Sequence, residues 1–156
     1  MRTTLWIVAL LLAAIVIYFF VLGVRSKTGA APGMVNGELT QCGTKPNCVC
    51  SEQREQNDFY IEPLALKEGA NEPLAMMKTV LLDMGAELIT ETDTYLATTF
   101  TSGIFGFVDD LEVRWDQDNS VLQLRSASRV GHSDLGANRK RVERVRDLFQ
   151  QQQNNG

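Results

Sequence analysis

The 156-residue sequence contains a single histidine, His132, and only three cysteines. It has no G-x-S-x-G elbow, so the strand–turn–helix nucleophile of an α/β-hydrolase is excluded. It has no calcium loop with a central glycine and a closing glutamate. Cys42, Cys48 and Cys50 lack a suitably spaced fourth ligand, which argues against a structural zinc site. No internal repeat is present, so a solenoid is excluded as well. Aromatic residues are missing between Arg125 and Leu148, where the basic residues gather. A single-strand nucleic-acid surface needs such rings for base stacking, so nucleic acid is not an expected partner. Neither a metal nor a cofactor is expected.

Charge is missing from one long stretch. Leu5 to Val24 reads LWIVALLLAAIVIYFFVLGV. Twenty helical residues at ~1.5 Å each span a hydrocarbon core of ~30 Å. Tyr18, Arg2, Arg25 and Lys27 sit where interfacial anchors belong. A cleavable signal peptide would have an apolar region of only ~7–15 residues. No cysteine directly follows the run, so a lipoprotein anchor is not indicated. Residues 1–25 are therefore expected to be an uncleaved single-pass anchor that meets the membrane through residues 5–24. Arg2 with the amino terminus balances Arg25 with Lys27, so positive charge leaves orientation open. The cysteines tilt it. A Cys42–Cys48 bridge across the Pro46–Asn47 turn would suit an oxidising compartment, with Cys50 left over. The expected placement is the inner membrane, with the C-terminal domain in the periplasm.

The net charge of -4 conceals an asymmetry. Glu38 to Asp93 holds eleven acids and four bases, whereas Arg125 to Phe149 holds seven bases and three acids. Ser26 to Glu38 is small and bears Gly and Pro, as a flexible tether would. Residues 39–150 form the foldable domain, large enough for one modest core. The tail, residues 151–156, is polar and low in complexity, and is expected to be disordered.

Periodicity places the elements of that domain. Leu74, Met77, Leu81 and Met84 recur at helical spacing, with Asn71 as candidate cap, Pro73 in the first turn and Gly85 at the stop. The period then becomes two. AELITETDTYLATTF gives two strands around a turn near Thr92–Thr94, and GFVDDLEVRWDQDNSVLQLRS gives two more around Asp116–Ser120. A last helix starts after Ser133 or Asp134, with Leu135, Val142, Val145 and Phe149 as its apolar stripe. Asn138 interrupts that stripe. The expected fold is α+β: a transmembrane helix, a helix, a four-stranded antiparallel meander, and a C-terminal helix packed on one sheet face.

Three blocks carry a resemblance: CGTKPNCVCS from Cys42, FTSGIFGFVDDLEVR from Phe100, and VLQLRSASRVGHSDLGANRKRVE from Val121. Together they resemble the domain of unknown function 1499 family. The resemblance implies a chain that is often secreted or membrane-anchored and for which no activity is established. Cys50 stands where serine would be expected, and His132 where tyrosine is usual. Neither departure points to a catalytic role.

Candidate chemistry centres on the junction from Arg125 to Arg141. Arg125, Arg129, Asn138 and Arg139 come from a strand end and a helix start, where unpaired N–H groups favour an anion. A small anionic ligand or anionic lipid headgroups are the expected partners. Asp109, Asp110 and Asp134 are the candidates for a neutralising polar network around these bases. A binding or structural envelope role is expected, with enzymatic activity not favoured. The alternative is a hydrolase or lyase using Asp109 and Asp110 with Arg125 and Arg129.

Overall fold

The computed structural model describes residues 1–155. Helix α1, Arg2–Ser26, takes up the uncharged run. It is long and apolar enough to cross a membrane. A signal sequence in this position would pass the same test. Nearly all its side chains are exposed; Gly23 and Ser26, in its last turn, are buried.

The domain is built on one antiparallel sheet. Its centre is β6 (Tyr95–Thr101), β7 (Val108–Asp116) and β8 (Val121–Ser128), with β5 (Glu87–Glu91) on one edge. These are the four strands that the alternation predicts. Two short strands complete the sheet beyond β8. β3 (Cys48–Cys50) pairs with its C-terminal half and β4 (Leu64–Ala65) with its N-terminal half. The sheet therefore has six strands, where a four-stranded meander was expected. At three and two residues, the extra strands are too short to show a period.

Helices α2 (Pro73–Asp83) and α3 (Ala137–Asn155) cover one face. Met77, Leu81, Val142, Val145 and Phe149 pack there against Leu96, Leu111, Val113, Leu122 and Leu124. All ten are at most 0 % exposed, so each contributes roughly 1.5–3 kcal/mol by leaving water. Pro73 opens α2 as expected, but Glu72, not Asn71, is the cap residue, and it makes no side-chain capping bond. α3 starts at Ala137, later than expected, but Asp134 still serves its first turn: its carboxylate accepts the Asn138 N–H at 2.8 Å. Leu135 falls outside α3 and is 89 % exposed, so it is not part of the stripe.

The other face is covered by the segment that follows α1. A second, two-stranded sheet pairs β1 (Met34–Val35) with β2 (Glu38–Leu39). Asn36 and Gly37 link them with φ of 54° and 86°, the positive values that a tight two-residue hairpin requires. Leu39 and Cys42 are buried against Tyr95, Ala97 and Ala127. The stretch read as a flexible tether thus contains a hairpin and lies on the sheet. Likewise α3 runs to Asn155 through the stretch read as a disordered tail, and Gln153 there accepts the Lys67 N–H at 2.9 Å. Gly156 lies outside the described residues.

Candidate functional site

Strand alternation places Asp110, Glu112, Arg114 and Asp116 on one face of β7, away from the helices. The register of β7 with β8 sets Glu112 opposite Arg125. The result is a charged layer between the sheet and the covering N-terminal segment. Arg125 Nη1 donates to Glu112 Oε2 at 2.7 Å. Arg129 grips Asp110 with two nitrogens, at 2.9 and 2.7 Å. Arg114 donates to Glu52 at 2.6 Å and to Asp116 at 3.1 Å.

Glu112 is the centre of this layer and is fully buried. Besides Arg125 it accepts the Tyr95 hydroxyl at 2.7 Å and the Gly33 backbone N–H at 2.8 Å. Three donors, one of them the charged Arg125 guanidinium, offset the cost of burying the carboxylate. Burial, and then the Glu112 carboxylate, push the Tyr95 phenol pKa well up. Burial also pushes the neighbouring Cys50 thiol up to about 11. Hydrogen bonding to Asp110 raises the pKa of Arg129. Burial opposes the charge on Arg114, but the hydrogen bond and charge of Glu52, with Asp116, raise its pKa nonetheless.

The four residues expected to form one anion pocket do not converge. Arg125 and Arg129 lie on the charged face, each spent on a carboxylate. Asn138 lies on the opposite face, 1 % exposed, where it locks α3 to the sheet. Its oxygen accepts the Ser126 hydroxyl at 2.6 Å; its amide donates to Asn47 O, Ser128 Oγ and Asp134 Oδ2. Those bonds explain an asparagine on an apolar stripe. Arg139 points to a third place, donating to the carbonyls of Tyr60 and Asp58 at 3.0 and 2.8 Å. Asp109, Asp110 and Asp134 are also separate. Asp109 pairs with Arg141 at 2.6 Å, Asp110 with Arg129, and Asp134 caps α3.

The hydroxyl that meets a carboxylate in this layer is that of Tyr95, held on Glu112 and buried with it. Ser51 is buried, donates to Gln123 at 2.6 Å and accepts the Leu124 N–H at 2.8 Å. His132 is exposed, apart from the charged layer. Among the described residues, no three His, Cys, Asp or Glu side chains are grouped to hold a metal. A cleft of about 440 Å³ opens at the edge of the layer. Its charged lining is Glu38, Glu52, Glu55 and Asp116 against Arg54 and Arg114, an acidic excess unsuited to an anion. Cys42 and Cys48 are joined by a disulfide, and Cys50 is the buried free thiol.

Glu52, Tyr95 and Gly33 escaped the sequence reading. Glu52 sits in the aperiodic stretch from Ser51 to Asp58, and Gly33 in the stretch taken for a tether. A buried acid on a strand, as at Glu112, is the one signal that calls for such partners.

The three blocks singled out in the sequence meet in space. The first holds β3, the second β7 and the third β8 with the start of α3, and β3, β8 and β7 are adjacent strands. A family model described as "Protein of unknown function (DUF1499)" matches residues 38–149. The chain belongs to the DUF1499 family. No curated protein matches the chain. The DUF1499 region includes the whole six-stranded sheet and most of α3, while α1 and the first part of its covering segment lie outside it. Glu112, inside the DUF1499 region, is therefore held in part by Gly33 from outside it.

Proposed function

We propose that this chain is a membrane-anchored, non-enzymatic domain with a structural role at the face of the membrane it is anchored in. One observation carries the reading. The apolar helix does not end in a loose linker: its last turn is docked on the domain. The Ser26 hydroxyl accepts the Val108 backbone N–H at 3.0 Å, and Arg129 donates to Ser26 O at 3.3 Å. The chain then continues over the sheet as a fitted cover. A leader removed after export would strip away contacts that the domain uses. The Cys42–Cys48 bridge supports an oxidising side of the membrane, such as a periplasm. The pairing of Arg125 with Glu112, Arg129 with Asp110 and Asp109 with Arg141 favours framework over catalysis or anion capture.

The test is to isolate the chain from membranes and measure its intact mass. A full-length mass in a fraction that resists alkaline extraction supports anchoring. A mass lacking residues 1–25, in the soluble fraction, contradicts it.

A further inference from the structure

A second surface of the domain belongs with the membrane. The loop Ser102–Phe107, between β6 and β7, is fixed against the last turns of α1. The Phe105 ring lies 5.3 Å from both the Phe19 and the Phe20 rings, and 5.9 Å from Phe107. The backbones touch at Gly23, where a Cβ would stand 1.8 Å from Phe105 O. The depth of the loop follows from the helix. Phe19 and Phe20 precede Val24, the end of the uncharged run, by five and four residues. At 1.5 Å per residue that is roughly 6–8 Å inside the apolar segment. It matches the ~5–10 Å to which interfacial apolar groups enter the headgroup–acyl boundary. If α1 spans a bilayer, this loop cannot lie clear of it.

The domain's surface agrees. In the domain that follows α1, the two most exposed large hydrophobics are Leu135 at 89 % and Ile104 at 78 %. Ile104 is at the tip of the docked loop. Leu135 is in the neighbouring turn before α3, and both turns line one crevice of about 450 Å³ against α1. Its apolar walls are Tyr18, Phe19 and Leu22 of α1 with Phe107, Val130 and Leu135 of the domain. Leu135 also has φ of 54°, a conformation unfavourable for a leucine. Glycine there would relieve the backbone, and the leucine side chain gains no burial from the domain. Lys27 lies beside the docked loop, its Cε 3.8 Å from the Cβ position of Gly106, at headgroup height.

The geometry points to a bilayer-facing surface: the turns bearing Ile104 and Leu135 insert among phospholipids, and the crevice against α1 takes an acyl chain. The inference rests on α1 being a membrane anchor, and the experiment separates the two. The full chain is placed in phosphatidylcholine–phosphatidylglycerol vesicles whose acyl chains carry bromine, a contact quencher of tryptophan. With Trp6→Phe and Trp115→Phe as background, Ile104→Trp and Leu135→Trp each supply one reporter. Trp115→Phe alone leaves Trp6 to report on the anchor. All three reporters are expected to emit blue-shifted light and lose most of it to brominated lipid. Should Trp6 be quenched by lipid while either new tryptophan answers only to aqueous iodide, the surface is refuted and the anchor stands. Should Trp6 also answer only to iodide, both fail.

Discussion

The hydroxyl of Ser26, in the last turn of α1, accepts the backbone N–H of Val108, the first residue of β7, at 3.0 Å. It also donates to the carbonyl of Gly23 at 2.6 Å. One buried hydroxyl thus couples the apolar helix to a central strand of the sheet. Ser26→Ala leaves the Val108 N–H buried without its acceptor, at a cost of about 1–3 kcal/mol. Urea unfolding of the full chain in detergent micelles should show a lower midpoint with an unchanged slope. Gly23→Leu should act on the same contact by steric means. The Phe105 carbonyl must move away, and amide exchange over residues 102–108 should rise.

Arg125 and Glu112 form the most buried ion pair in the sheet, with side-chain exposures of 10 % and 0 %. Removing one member leaves a buried charge without its counter-ion. Arg125→Met is expected to cost about 3–5 kcal/mol. Replacing Lys78, which pairs with Glu91 in solvent, should cost no more than about 1 kcal/mol. Equal losses in the two unfolding curves would show that the charged layer is not a framework.

Asp116 gives the domain an acid sensitivity. Burial alone would raise its pKa, but hydrogen bonds from Asn119 and Gln123, with the Arg114 charge, hold it below the usual carboxylate value. Folded chains therefore bind this proton less tightly than unfolded ones. The stabilisation is complete above an unfolded pKa of about 3.9 and is lost as pH falls through the lower folded value. Stability measured between pH 5 and the acid limit should fall less steeply in Asp116→Asn than in the parent chain.

Cys50 should be inert in the folded chain. Its thiol is fully buried, and burial raises its pKa to about 11, so the reactive thiolate is scarce at neutral pH. Without reductant, iodoacetamide should label no cysteine in the folded protein and one in the unfolded protein. Three labels on unfolding would contradict the Cys42–Cys48 bridge.

The sequence made the central sheet legible because β5 to β8 are five to nine residues long and alternate clearly. The core faces of α2 and α3 followed from their period in the same way. β3 and β4 are too short to alternate, so nothing in their residues marks them as strands. The covering segment is hard to recognise for a different reason. Its Gly, Pro and Ala content suggests a tether, yet Asn36–Gly37 within it is a strong local hairpin signal. The two-residue turn, not the composition, sets the structure there. For the candidate site, the alternation of Asp110 with Glu112 and of Arg125 with Arg129 put the charges on shared faces. It did not show that Asn138 and Arg139 face elsewhere, because a helix start can turn either way off a strand. Nor did it show that Gly33 supplies a donor to Glu112 from 79 residues away.

The central claim is that α1 stays in the membrane with its last turns docked on the DUF1499 domain. Photo-crosslinking tests it most directly. A benzophenone amino acid in place of Phe20, in the full chain reconstituted in vesicles, is irradiated and the products are mapped by mass spectrometry. The expected product is an intramolecular crosslink to the Ser102–Phe107 loop, whose Phe105 ring lies 5.3 Å from Phe20. Crosslinks to lipid alone, with that loop unmodified, would contradict it.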